Sequence, residues 1–297
     1  MAQTAQLKPP VLIIGGTRSG TSMLSEWIGS APGVVEWYEP NQLWRVGCAY
    51  SPDDAVRPEH ATPWVKKWIR RKFLEFQESH AGKRVIEKSP TNVFRVLFVR
   101  EVFPEAKIIH IYRDGRAVLR SQIEQYDNFQ SYTLTKSGTI ARIREMLGVV
   151  PFWQWPAYAP RFFEGLTRRY IKRKQGVSWF GVRYPGWRAD RPRMTRTQMI
   201  AKQWVTSVES ALRDLETLPS GSWLPLKYEE VVSDPEKWFT RICEFSGIET
   251  NREYLETVKA KVHTQSLGKW KQELAPEVVA EAMGVMEPLL RRLGYVL

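Results

Sequence analysis

Four consecutive apolar residues, Val11-Leu12-Ile13-Ile14, run directly into Gly15-Gly16-Thr17-Arg18-Ser19-Gly20-Thr21-Ser22, and a helical pattern begins immediately after. Met23, Leu24, Trp27 and Ile28 then fall on one face of a 3.6-residue period. A buried strand, a glycine-rich turn and a helix start, in that order, commit the chain to an α/β unit. They also aim several backbone N–H groups and the positive end of a helix dipole at one point, which binds phosphate or sulfate. In the nucleotide kinase loop G-x-x-x-x-G-K-[ST], the Lys reaches the terminal phosphates and the hydroxyl holds magnesium. Gly15 and Gly20 keep that spacing, but Thr21 stands where the Lys belongs, and the cation of the loop is Arg18. A guanidinium is thus expected beside the bound anion, with no dedicated metal ligand.

The same alternation recurs downstream. Arg84 to Pro90 reads as a parallel strand ending at Lys88-Ser89-Pro90, residues 91–103 as a helix, and Ala106 to Tyr112 as a fully buried strand. Arg113-Asp114-Gly115-Arg116 then turns the chain into a helix starting at Ala117. A helix from about Thr197 carries Ile200, Trp204, Val208, Ala211 and Leu215 inward, and a strand follows from Trp223 to Tyr228. A helix over Glu236 to Phe245 ends at Gly247, Lys261 to Glu273 reads as a basic loop, and Pro276 opens a last amphipathic helix. Earlier in the chain, a basic amphipathic helix is expected from Trp64 to His80, with Trp68, Phe73 and Phe76 inward. The fold class is therefore α/β, a central parallel sheet flanked by helices, with ligands at the carboxyl ends of the strands. Arg18, Lys88 and Arg113 all fall at such ends. Residues 126–198 break the rhythm and are rich in Trp, Arg, Pro and Gly, notably Phe152 to Pro156 and Trp179 to Arg188. They read as an insertion in a single domain spanning 1–297, capping the sheet near the site and choosing the acceptor.

An excess of Lys and Arg gives a net charge of +12. That sign attracts anions but does not choose among nucleic acid, anionic lipid, acidic glycan and a polyanionic cofactor. Cys48 and Cys243 make no disulfide framework or metal cluster, which suits a reducing compartment. No apolar run reaches the length of a membrane span. With the first strand beginning at residue 11 there is no room for a cleavable signal, so a cytoplasmic protein is expected.

Several short segments carry the chemistry: Arg18-Ser19-Gly20-Thr21-Ser22, Tyr38-Glu39-Pro40, Glu87-Lys88-Ser89-Pro90, Arg113-Asp114-Gly115-Arg116 with Ser121 eight residues after Arg113, and Ser266-Leu267-Gly268-Lys269-Trp270. In order and spacing they resemble the sulfotransferases that use 3′-phosphoadenosine 5′-phosphosulfate. The loop and the Y-E-P segment are most similar to the carbohydrate sulfotransferases. The resemblance implies a P-loop sulfotransferase fold and a sulfuryl transfer to a hydroxyl acceptor, a carbohydrate or other small alcohol, with no metal required and no nucleic acid partner. It implies that Thr17 to Ser22 hold the 5′-phosphosulfate and that Arg113 and Ser121 close on the 3′-phosphate. Gly268, Lys269 and Trp270 would fold over the cofactor. Tyr228, by its strand-end position, is a candidate for the adenine; Met23 stands where many relatives have a Trp. Arg18 and Lys88 would stabilise the leaving oxygen and the migrating group, and Glu39 would be the general base, with Glu36 its rival and His110 a third candidate. Two other readings stay open: a kinase with a degenerate phosphate loop, and a non-catalytic polyanion-binding module.

Overall fold

The computed structural model describes residues 6–131, 146–158, 181–262 and 264–296. Five parallel strands form one sheet in the order β2-β3-β1-β4-β5. They are β1 (Val11–Ile14), β2 (Val34–Tyr38), β3 (Arg84–Lys88), β4 (Lys107–Tyr112) and β5 (Trp223–Lys227). The helices in chain order are α1 (Thr21–Gly29), α2 (Pro63–Ser79), α3 (Val96–Val102), α4 (Gly115–Ser131), α5 (Arg196–Leu215), α6 (Tyr228–Ser233), α7 (Pro235–Ser246), α8 (Arg252–Ala260) and α9 (Pro276–Arg292). Parallel pairing needs crossovers, and the helices that supply them cover both faces, so the strands are apolar on both sides. Val11, Ile13, Ile109 and Ile111 pack against Leu24, Ile28, Phe239 and Ile242. On the opposite face, Leu12 and Val85 meet Ile69, Phe73 and Phe98, while Ile14 and Ile108 meet Phe94, Met199 and Leu215. Helices α4, α5 and α9 join through Leu119, Ile200, Trp204, Met286 and Leu290.

The register fixes where chemistry collects. Tyr38 lies opposite Lys88, Ile13 opposite Lys88 and Ile109, and Tyr112 opposite Lys227. The residues just past these positions therefore emerge along one carboxyl edge of the sheet.

Several expectations are refined. Residues 34–38 form an edge strand that the sequence left unassigned, and Trp37 stacks on Phe76 of α2 with centroids 4.4 Å apart. The segment after Pro90 is not one helix: a 3₁₀ turn over Pro90–Phe94 precedes α3. Helix α2 buries Val65, Ile69, Phe73 and Gln77, whereas Trp68 and Phe76 are half-buried at its flank. The basic loop after α8 contains a helical turn, Trp270–Glu273. In the 126–198 segment, Trp179 and Phe180 lie outside the described residues. Tyr184 and Trp187, read as part of an aromatic cap, are buried core residues. The Trp187 indole donates to the Pro52 carbonyl (3.1 Å), and the Arg183 amide donates to Asp54 (2.7 Å). The end of the segment returns beside α4, where Gln203 bridges Gln122 (2.6 Å) and the Val182 carbonyl (3.0 Å).

Candidate active site

The loop between β1 and α1 has two left-handed residues, Arg18 (φ 67°) and Gly20 (φ 96°). Gly20 caps α1 without a side-chain hydrogen bond, so no side-chain oxygen occupies the first-turn amides that a helix leaves unsatisfied. A Cβ on Gly20 would stand 2.4 Å from the Tyr228 ring, so the loop lies flat against that aromatic only because the residue is glycine.

Arg18 reaches across the edge of the sheet, and its Nε donates to Ser121 Oγ of α4 at 2.9 Å. Arg113, at the end of β4, stacks over the Tyr228 ring (4.2 Å) and donates to the Ser266 carbonyl (3.1 Å). The Tyr228 hydroxyl in turn meets Ser266 Oγ at 2.7 Å. Arg113 Nε is buried and unpartnered. These residues, with Gly20, Thr21, Ser22, Met23, Lys269 and Trp270, line one pocket of about 300 Å³. Burial, and then the neighbouring Arg113 charge, lower the pKa of the Arg18 guanidinium. Like charges crowded beside an orphaned N–H donor in a pocket at a helix N-terminus are built for a multivalent anion.

A second cluster sits at the neighbouring strand ends. Lys88, 1% exposed, donates to Ser22 Oγ (2.9 Å) and Glu39 Oε1 (2.6 Å), and its ammonium lies 3.9 Å from the Tyr38 ring centre. Ser22 thus belongs to the anion pocket and contacts the lysine as well. The Glu39 backbone departs from what its neighbour favours. The following Pro40 points to extended backbone there, but Glu39 is left-handed (φ 50°), an uncommon state for a residue with a side chain. Its amide adds one more bond to the β2–β3 ladder (Glu39 N to Lys88 O, 2.9 Å), and its carbonyl accepts from Asn41 N (2.6 Å). The turn so formed accompanies the carboxylate's approach to Lys88. Glu36 is engaged elsewhere, accepting from Ser25 of α1. His110 is wholly buried between Tyr112 and Trp223, where desolvation lowers its pKa to about 4.

Of the other residues the sequence nominated, Ser19 is buried with its hydroxyl unpartnered, while Thr17 and Gly268 lie outside the pocket lining. The sequence reading missed Arg120 and Glu124, which line the pocket and pair with each other at 3.0 Å. Their signal was the spacing of Ala117, Arg120, Ser121 and Glu124, one face of a helix. Among the described residues no group of three or more His, Cys, Asp or Glu is placed to hold a metal ion.

The profile of the sulfotransferase domain matches residues 8–267 of this chain. Human Carbohydrate sulfotransferase 2 is 24% identical over 250 residues, a match covering 77% of this chain and 43% of that protein. An Omega-hydroxy-beta-dihydromenaquinone-9 sulfotransferase of Mycobacterium bovis is 45% identical over 70 residues, 24% of this chain and 18% of the relative. The chain thus spans less than half the length of these curated relatives. Among solved structures, the sulfotransferase domain of the Synechococcus PCC 7002 olefin synthase superposes with a TM-score of 0.54 at 18% identity, covering 99% of this chain and 98% of the other. This likeness reaches across the whole sheet and its flanking helices.

Proposed function

The chain belongs to the sulfotransferase domain family, and on that premise we propose that it moves a sulfuryl group from 3′-phosphoadenosine 5′-phosphosulfate to a hydroxyl. The observation that carries this reading is the meeting of Arg18 and Ser121, 103 residues apart in sequence, at 2.9 Å in a pocket shared with Arg113. The donor supplies the sulfuryl group that becomes a sulfate ester. The loop from Thr17 to Ser22 and the start of α1 hold its 5′ end, and Arg113 with Ser121 holds the 3′-phosphate. Tyr228 and Met23 offer apolar surface to the base, and Gly268, Lys269 and Trp270 close the rim. The cradle fits a nucleotide with anionic groups at both its 5′ and 3′ positions: its cations exceed its carboxylates, and a donor of Arg113 is left open.

Lys88 and Arg18 bring positive charge to the transferring group and the oxygen it leaves. Glu39, its side chain 30% exposed and 2.6 Å from Lys88, takes the proton of the incoming hydroxyl. The acceptor we favour is a carbohydrate or other small alcohol, on the strength of the loop and Y-E-P segment. The relatives' names span a carbohydrate and a hydroxylated dihydromenaquinone. Acceptor choice we assign to the 126–198 segment of a single catalytic domain, whose end returns beside α4 next to Ser121. A cytoplasmic setting is part of the same reading, supported by the two free cysteines.

The decisive measurement compares binding of 3′-phosphoadenosine 5′-phosphate with adenosine 5′-phosphate by calorimetry. Two charge-assisted hydrogen bonds at about 1.5–3 kcal/mol each imply a preference of about a hundredfold or more for the 3′-phosphate. Equal affinities overturn the proposal, and a requirement for magnesium in binding favours a kinase.

A further inference from the structure

We infer that the face made by the first half of α2 and residues 152–155 docks on an anionic lipid bilayer. Four large aromatics stand out from the surface there: Trp64 (41% exposed), Phe152 (69%), Trp153 (51%) and Trp155 (39%). Trp64, Phe152 and Trp153 form one continuous patch with the half-buried Trp68, with ring centroids 5.5 Å apart for Trp64–Trp153, 5.1 Å for Phe152–Trp153 and 5.6 Å for Trp64–Trp68. Contiguous exposed aromatics of this kind mark an interaction surface rather than scattered apolar residues.

The patch is presented rigidly. The Trp68 indole donates to the Val149 carbonyl (2.9 Å), the Gly47 amide donates to Gln154 (3.3 Å), and Val149 and Val150 are buried in the core under α2.

The charges choose the occupant. Lys67 and Arg71, both exposed, follow Trp64 by three and seven positions and so share its helix face. Lys72 lies over the Trp68 ring (5.4 Å), and it shares Glu75 with Arg71 (2.8 and 2.7 Å), so the three cations Lys67, Arg71 and Lys72 carry one carboxylate among them. Indoles interleaved with long cationic side chains match a headgroup layer: the rings seat at the boundary of the acyl region, and the cations lie along them with their charges on lipid phosphates. The chain's net charge of +12 adds long-range attraction to an anionic surface.

Position gives the docking a consequence. Helix α2 runs antiparallel to the strands: Gln77 near its end accepts from the Lys8 amide (2.9 Å) ahead of β1, and Val65 near its start abuts Gly47, downstream of β2. The Trp64 end therefore lies toward the carboxyl edge of the sheet, the edge that carries Arg18, Glu39 and Lys88. A bilayer-bound molecule holds that edge near the headgroups. The inference goes beyond the sulfuryl-transfer reading and stands or falls without it, since its test involves no nucleotide.

The full chain is sedimented with vesicles of phosphatidylcholine, alone or with about a third phosphatidylserine. Preferential binding to the anionic vesicles is expected. Phe152→Ser/Trp153→Ser should weaken partitioning about tenfold or more on both, and Lys67→Ala/Arg71→Ala should remove the preference for phosphatidylserine, as added salt does. Far-UV circular dichroism and thermal melts of both variants verify folding. Failure of the folded wild type to bind either vesicle overturns the inference, as does binding unchanged in both variants. So does a dimer seen by light scattering that Phe152→Ser/Trp153→Ser dissociates, because the patch then serves a second copy of the chain.

Discussion

Two wholly buried titratable groups, Glu87 on β3 and His110 on β4, should pull the pH dependence of stability in opposite directions. Glu87 accepts from the Trp44 indole (2.9 Å) and the Asn92 amide (3.0 Å), yet burial raises its pKa from 4.5 to about 7. His110 has neither ring nitrogen hydrogen-bonded, and burial lowers it from 6.5 to about 4. The folded chain keeps a proton on Glu87 that the unfolded chain releases, so its contribution is full below pH 4.5 and lost as the pH rises through 7. The contribution of neutral His110 is full above pH 6.5 and lost as the pH falls through 4. Each displacement of roughly 2.5 pH units corresponds to about 3 kcal/mol, and across the shared window the two slopes nearly cancel. Glu87→Gln exposes the histidine slope, with stability rising by about 2 kcal/mol relative to wild type between pH ~5 and ~6.5. Asn92 Oδ1, unpartnered now, can turn to accept from the new amide. His110→Phe exposes the opposite slope, with stability falling by a similar amount over the same window. Urea denaturation of the three proteins across that range reads both. Parallel curves for all three, or slopes of the same sign in both variants, refute the reasoning.

Arg18→Ala should abolish turnover, by about 10²–10³-fold or more, while urea stability changes little, because the side chain donates to the Ser121 hydroxyl and to no carboxylate; near-normal turnover rejects the assignment. Glu39→Gln should lower kcat by about 10²–10⁴ with KM nearly unchanged, whereas Glu36→Gln, which touches Ser25, should leave kcat alone; the reverse result moves the base to Glu36. Gly20→Ala should cost about 1–3 kcal/mol in urea denaturation, since the new Cβ meets the Tyr228 ring at 2.4 Å on left-handed backbone; a neutral outcome means that the loop and Tyr228 are not in contact.

The fold was legible because its signals are local. Three of the five strands (β1, β3 and β4) are short β-branched runs stopped by Gly, Ser-Pro or Arg-Asp-Gly, and α5 shows its buried face as a 3.6-residue period. What escaped depends on distant parts of the chain. Strand β2 has strand-forming residues, Val34, Val35, Trp37 and Tyr38, but its place at the sheet's edge, with Trp37 stacked on Phe76 of α2, is set by partners distant in sequence. Helix α8 exposes most of its residues and buries only Tyr254 and Val258, too few for a pattern. Tyr184 and Trp187 sit in a Pro- and Gly-rich run that reads as surface, and are core only because α5 and the loop near Pro52 cover them. In the site, Arg18, Lys88 and Arg113 were readable as strand-end cations. The left-handed turn at Glu39 was not, because the ladder bond to Lys88 that accompanies it is long-range.

The motif Arg113-Asp114-Gly115-Arg116 shows how the site keeps its charge. Both arginines are buried, and either could claim the carboxylate between them. Asp114 goes to Arg116, accepting from its amide (2.8 Å) and from its guanidinium at 3.0 and 2.9 Å, and Arg116 also stacks on Trp270 (4.2 Å). That leaves Arg113 held by neutral groups alone, the Tyr228 ring and the Ser266 carbonyl, just as Arg18 is held by a serine hydroxyl. Trp204 grips the turn from the other side: its indole donates to the Arg113 carbonyl (3.0 Å), and its ring lies 2.8 Å from where a Gly115 Cβ would stand. Neutral contacts orient a guanidinium without cancelling its charge. Among the described residues neither Arg18 nor Arg113 has a carboxylate within ion-pair distance, so no ion pair has to be broken when an anion enters the pocket. Lys88, by contrast, rests against Glu39. The arginines are therefore set to bind, while the lysine and glutamate are set as a pair that incoming groups must part.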